Sequence, residues 1–115
     1  MTTLKFYGLK TCDTCRKAVK ALEAAGAEFT VTDVRADGVT KKQLETWAKA
    51  VGWEKLLNKA STTWRGLPDT EKEGVNEKKA IALMAEHPTL IKRPVIEAGG
   101  KVYVGWSDAT RKALI

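Results

Sequence analysis

Residues 4–34 read as strand, helix and strand in succession, and that order commits the chain to a sheet crossed by a helix. Leu4-Lys5-Phe6-Tyr7-Gly8 is β-prone and ends in Gly, after which Leu9-Lys10-Thr11 makes a turn. From Asp13 to Ala25 the apolar residues Ala18, Val19, Leu22 and Ala25 recur at helical spacing, with Thr11 or Asp13 as the N-cap and Gly26 as the stop. Phe29-Thr30-Val31-Thr32-Asp33-Val34 then alternates and is rich in β-branched residues. Such a βαβ unit crosses over right-handed.

The middle of the chain changes period. Thr40 with Gln43 resembles a capping box that opens a helix to about Val51, with Leu44, Trp47, Ala48 and Val51 on its apolar face. A shorter helical turn spans Trp53 to Asn58, Ala60 to Leu67 reads as irregular, and Pro68-Asp69 begins another short turn or helix. Asn76 caps a helix through Glu86, which buries Ala80, Ile81, Leu83 and Met84 and stops before Pro88. Strand signals then return, as Val95-Ile96-Glu97 and Val102-Tyr103-Val104 flank Gly99-Gly100, a two-residue hairpin signature. Ser107 caps a last helix containing Ala109, Ala113 and Leu114. The expected architecture is one α/β domain over residues 1–115: a core of about 1–37 and 88–115, with a helical insert of about 38–87.

At 115 residues and 43% apolar content, such a domain can bury a core without crosslinks. No apolar run approaches a membrane span, and Met1-Thr2-Thr3-Leu4-Lys5 leads into a strand rather than reading as a signal peptide, so a cytoplasmic location without membrane partners is expected. The net charge of +6 comes from cations interleaved with Glu and Asp. That pattern gives a solvated basic surface and not the concentrated stripe that a nucleic-acid site needs, so no direct nucleic-acid partner is expected.

The only two cysteines, Cys12 and Cys15, are three positions apart and cannot staple a secreted fold. Cys12 stands at or just before the first helical turn, where unpaired N–H groups and the positive end of the helix dipole favour an anion. A thiolate is such an anion, and Arg16 and Lys17 add attraction that Asp13 partly opposes. A pKa below the free-cysteine value of about 8.5 is therefore expected at Cys12. Cys15, one turn deeper on the same face, is expected to be more buried and to act as a resolving thiol. The pair could instead be half of a zinc site, but a closed site needs four ligands and the chain adds only His87. It could also be two small buried hydrophobes; its place between strand and helix favours chemistry.

Lys92-Arg93-Pro94-Val95 sets two cations beside a proline that starts a strand. Sequence alone favours a trans peptide before Pro94, whereas a cis peptide would turn the backbone sharply. Arg65 and Arg93 are placed to hold an anion or carboxylate by bidentate hydrogen bonds, or else are surface arginines. Trp47, Trp53, Trp64 and Trp106 read as packing residues, and His87 as a helix-end residue.

Together these residues resemble the ArsC/Spx family, the arsenate-reductase-like branch of thioredoxin folds, over nearly the whole chain. The resemblance is carried by Tyr7-Gly8-Leu9-Lys10-Thr11-Cys12-Asp13-Thr14-Cys15-Arg16-Lys17-Ala18, Leu56-Leu57-Asn58-Lys59, Thr62-Thr63-Trp64-Arg65, Glu86-His87-Pro88-Thr89-Leu90-Ile91-Lys92-Arg93-Pro94, and Val104-Gly105-Trp106-Ser107-Asp108. It implies an inserted helical lobe, a cis-proline at Pro94, a nucleophile at Cys12 and an arginine before the proline at Arg93. Arsenate reductases of this family use three arginines, but Asn58 and a position near Gly105 stand where two of them would be. The Thr62–Arg65 stretch and the Gly105–Asp108 end look more like the YffB-type subgroup, regarded as glutathione-dependent thiol reductases, where Arg65 replaces a lost arginine. Cys15 departs from that subgroup and is similar to the Cys-x-x-Cys redox switch of Spx regulators.

The candidate catalytic residues are thus Cys12, Cys15 and Arg93, and the candidate substrate-binding residues are Thr11, Thr14, Arg65 and Pro94, with no metal ligand and no tightly bound cofactor. The leading expectation is a thiol-disulfide or glutathione-dependent reductase with glutathione as co-substrate. A redox-sensing regulator that binds RNA polymerase is the alternative, followed by a glutaredoxin-dependent arsenate reductase.

Overall fold

The computed structural model describes residues 3–115; Met1 and Thr2, the first residues of the stretch read above as leading into a strand, lie outside the described residues. The chain divides into two compact units: the described residues up to Asp37 together with Arg93–Ile115, and Gly38–Lys92.

The first unit is built on β1 (Leu4–Gly8), α1 (Asp13–Ala24) and β2 (Phe29–Asp33), followed by β3 (Val95–Ala98), β4 (Lys101–Val104) and α7 (Asp108–Leu114). The strand order is β2-β1-β3-β4. β1 pairs parallel with β2, from Leu4 opposite Phe29 to Gly8 opposite Asp33, and antiparallel with β3, where Phe6 faces Ile96. As a central strand, β1 is buried on both faces apart from Lys5. The α1 face of the sheet is filled by Leu4, Phe6 and Ile96 against Cys15, Ala18 and Leu22. Phe6 and Leu22 are fully buried, each contributing roughly 1.5–3 kcal/mol of hydrophobic stabilisation. Gly99 and Gly100 take φ values of 54° and 86°, the double left-handed turn that a tight hairpin requires. Ser107 Oγ accepts from the Thr110 N–H to start α7, in which Thr110 is buried while Ala109 and Ala113 are exposed. One parallel βαβ unit joined to an antiparallel hairpin and a closing helix is the thioredoxin-like arrangement.

The second unit contains α2 (Lys41–Val51), α3 (Trp53–Leu56), α4 (Thr62–Gly66), α5 (Asp69–Lys72), α6 (Glu77–Glu86) and a 3-10 turn at Pro88–Leu90. Thr40 and Gln43 form the reciprocal capping box read from the sequence. Leu44, Trp47 and Ala48 of α2, Leu56 of α3, and Ala80, Ile81, Leu83 and Met84 of α6 are buried. The stretch 60–67, expected to be irregular, contains α4 because Ser61 Oγ accepts from the Trp64 N–H and caps it. The unit also runs past residue 87, since the Leu57–Ile91 bridge and the Lys92 N–H on the Leu56 carbonyl bind the segment after the 3-10 turn to α3 and its C-cap. Trp47 is fully buried, whereas Trp64 is half-buried with the Lys59 and Lys72 Nζ atoms 5.8 and 5.9 Å from its ring centre. Among the described residues, no helix is long and apolar enough to cross a membrane.

Candidate active site at the start of the first helix

Cys12 is itself the N-cap of α1, with extended backbone angles (φ −86°, ψ 121°). Neither Thr11 nor Asp13 fills that position, because a residue with a sulfur side chain occupies the half-in site where a hydroxyl or carboxylate ordinarily caps. The thiol makes no conventional cap hydrogen bond. The N–H groups of the first turn are thus left to act on its charged form. Partial burial works against the charge, but it is outweighed by the Cys15 N–H, the Cys15 thiol, the Arg93 guanidinium and the Thr14 N–H. The Cys12 pKa is lowered as a result.

Cys15 behaves in the opposite way. It is buried, one turn into α1, and its thiol is pushed up to about 11. Burial is the main cause, and the neighbouring Cys12 adds to it, against a lowering contribution from the Leu9 backbone and Arg93. Both cysteines are free thiols. One environment therefore splits two identical side chains into an ionisable sulfur and a protonated one, the separation that a nucleophile and its resolving partner require.

Gly8 makes this placement possible. A β-carbon added there would lie 2.7 Å from Cys15 Sγ and 2.9 Å from Phe6 Cε1, so only the absence of a side chain lets α1 sit this close to β1. The turn between them is tied to α1 by the Cys12 N–H on the Leu9 carbonyl at 3.2 Å. Arg16 donates from Nε to the Lys10 carbonyl at 3.1 Å and from Nη2 to the Thr11 carbonyl at 3.3 Å. Asp33, at the end of β2, accepts from the Lys10 N–H and closes its own turn by accepting from Arg35 and Ala36.

The peptide joining Arg93 to Pro94 is cis, against the trans form that sequence alone favours and in agreement with the family resemblance. Pro94 is buried, and its carbonyl accepts from the Gly105 N–H at 2.8 Å. Arg93 Nε is buried without a hydrogen-bond partner among the described residues. A guanidinium with an unpaired buried donor, close enough to favour charge on both sulfurs, is suited to an anion.

The remaining candidates divide. Thr11 and Thr14 are exposed beside Cys12 in sequence, and Thr14 acts through its backbone. Arg65 belongs to the second unit, where its Nη2 donates to the Ala60 carbonyl at 2.7 Å. Asn58, at a family arginine position, is a turn residue whose Oδ1 accepts from the Ala60 N–H. Gly105, near the other position where the resemblance implies an arginine, adopts φ 81°, a conformation that a side chain there would have to strain to reach. His87 caps the end of α6, and no cluster of three or more His, Cys, Asp or Glu side chains that could hold a metal ion occurs among the described residues. Gly8, Leu9, Asp33 and the two-carbonyl role of Arg16 were not read from the sequence. The Gly directly preceding the Leu-Lys-Thr-Cys turn was the signal for Gly8, while backbone-directed contacts leave none.

The chain is similar to known proteins over nearly its whole length. The solved structure of a YffB protein is 40% identical, covers 97% of this chain and 99% of its own, and superposes with a TM-score of 0.93. That of an arsenate reductase (ArsC) related protein from Brucella melitensis is 40% identical over 96% of this chain and 92% of its own, with a TM-score of 0.77. A global transcriptional regulator, Spx 2 of Bacillus anthracis, is 25% identical over 105 residues, 89% of this chain and 79% of the regulator. The profile of the ArsC family matches residues 7–114, and with the helix-capping cysteine and cis-proline in place the chain belongs to the ArsC family.

Proposed function

We infer that this chain is a thiol-disulfide oxidoreductase of a reducing compartment, with Cys12 as nucleophile and glutathione as co-substrate. The observation that carries the reading is the split between a Cys12 thiol lowered at the helix start and a Cys15 thiol raised to about 11. The Cys12 thiolate attacks one sulfur of a glutathione mixed disulfide. A new S–S bond forms to the glutathionyl sulfur, the old S–S bond breaks, and the substrate leaves as a thiolate that takes a proton from solvent. A glutathione thiolate then attacks the Cys12 mixed disulfide, releasing oxidised glutathione and regenerating the Cys12 thiolate. Net, one disulfide is reduced and two glutathionyl groups become one disulfide.

Cys15 offers an internal route. Once Cys12 is in a mixed disulfide its charge is gone, and with it the contributions of Cys12 that hold the Cys15 proton. Burial still restrains ionisation of Cys15. Loss of the Cys15 proton and attack on Cys12 Sγ would expel the glutathionyl thiolate and leave a Cys12–Cys15 disulfide, which two further glutathione thiols reduce.

Arsenate reduction has weaker support, because Asn58, where the resemblance implies one arginine, closes the Ala60 turn, and the other implied position lies near Gly105, whose N–H donates to the Pro94 carbonyl. A regulator whose Cys12–Cys15 disulfide alters affinity for RNA polymerase is favoured by the Cys-x-x-Cys pair and the Spx-type relative. A reductant-coupled assay of wild type and Cys12→Ser with a glutathione mixed disulfide, arsenate and a blank separates these readings. Turnover of the mixed disulfide that vanishes in Cys12→Ser is expected. Silence with every substrate, together with co-purification of a polymerase subunit, would favour the regulator.

A further inference from the structure

Within Leu9–Thr11, every backbone polar group for which a partner is identified bonds to a residue of the Cys-x-x-Cys-Arg segment or to Asp33. The Leu9 carbonyl takes the Cys12 N–H. The Leu9 backbone also stabilises charge on the Cys15 sulfur. The Lys10 N–H reaches Asp33 Oδ2, and the Lys10 and Thr11 carbonyls both go to the Arg16 guanidinium. Two consecutive peptide planes directly ahead of the nucleophile are therefore fixed by one side chain from the first turn of the helix that the nucleophile caps.

We propose that Arg16 is a positioning residue for Cys12, whose guanidinium fork on the Lys10 and Thr11 carbonyls holds the Leu9–Thr11 turn so that the sulfur stays at the start of α1. The inference rests on the reading of Cys12 as the nucleophile and assigns Arg16 a part in it. The Arg93 guanidinium favours the Cys12 thiolate, whereas the Arg16 guanidinium is engaged with the Lys10 and Thr11 carbonyls. Asp13 Oδ1 stands 3.9 Å from Arg16 Nη2, an exposed and solvent-screened pair. What matters is the planar fork, which reaches two carbonyls at once; a lysine ammonium is a single point donor on a flexible stem.

Arg16→Lys and Arg16→Ala separate shape from charge. The rate of alkylation by iodoacetamide as a function of pH, with peptide mass spectrometry assigning the site, gives the Cys12 titration in each protein, while circular dichroism confirms that each folds. Both variants are expected to titrate at Cys12 about half a unit or more above wild type and to react at least about threefold more slowly at pH 7. A wild-type titration in Arg16→Lys together with a raised one in Arg16→Ala would mean that the charge acts directly and would overturn the proposal, as would wild-type behaviour in both. A wild-type Cys12 that itself titrates as an ordinary thiol would instead sink the nucleophile reading, so the two failures are distinguishable.

Discussion

Gly8 and Cys15 meet at a point where no β-carbon fits: an added methyl would stand 2.7 Å from the sulfur. Gly8→Ala must push the Cys15 side chain or the buried Phe6 ring out of place, and overpacking of this kind costs about 1–3 kcal/mol. Urea denaturation of Gly8→Ala, Cys15→Ala and the double variant checks it. The double variant should be more stable than the sum of the single effects predicts, since removing the sulfur relieves part of the clash.

Cys15 makes stability depend on alkaline pH. Its folded-state pKa is raised to about 11, so up to about pH 9 both folded and unfolded chains keep the proton. Between about 9 and 11 the unfolded chain loses it first, and stability is lost as pH rises through that window, by on the order of 2 kcal/mol. Cys12, lowered when folded, has the opposite sign: its contribution is present at alkaline pH and is lost as pH falls through its folded-state pKa. Wild type should therefore lose stability more steeply than Cys15→Ala from pH 9 to 11 in chemical denaturation. Parallel curves would show that the Cys15 sulfur is not held protonated.

Arg93 favours charge on Cys12 while its Nε lacks a hydrogen-bond partner among the described residues. Arg93→Ala should raise the Cys12 pKa and slow its alkylation at pH 7 by roughly three- to tenfold. Stability should change little, because no described hydrogen bond to Nε is lost and a buried unpaired donor is removed. Thermal unfolding alongside the alkylation rate tests both halves. A large loss of stability with an unchanged rate would make Arg93 a structural residue.

Arginine at Asn58 and Gly105, at and near the two positions where the resemblance implies one, should not create arsenate reduction. Gly105→Arg forces a side chain into a backbone conformation at φ 81°, costing about 1–2 kcal/mol. Asn58→Arg removes the acceptor that closes the Ala60 turn. The double variant is expected to melt below wild type and to remain silent in an arsenate assay; a stable, arsenate-active double variant would contradict this account of both positions.

Much of the fold was legible because period and punctuation agreed in the sequence. Leu4–Val34 switches from strand to helix to strand, Gly99-Gly100 marks its hairpin, and Thr40 with Gln43 announces its helix. The short helix at Thr62–Gly66 was hidden because two adjacent threonines argue against helix, and the Ser61 cap outweighed them. The N-cap of α1 was missed for a related reason: cap preferences point to Thr11 and Asp13, whereas the chain places Cys12 there. Cys12 and Cys15 were visible as a pair, and Arg93 through its proline. Leu9, Asp33 and Arg16 act on backbone atoms, and spacing carries no trace of which carbonyl a guanidinium reaches.

The central claim is that the α1 N-terminus and Arg93 make Cys12 the ionised, reactive thiol while Cys15 stays protonated. The most direct measurement is site-resolved alkylation of the folded wild-type chain from pH 5 to 10, read by peptide mass spectrometry. The account predicts modification at Cys12 with a midpoint below that of a free thiol and no modification of Cys15 across the neutral range. Labelling that begins at Cys15, or a Cys12 midpoint at or above the free-thiol value, would contradict it.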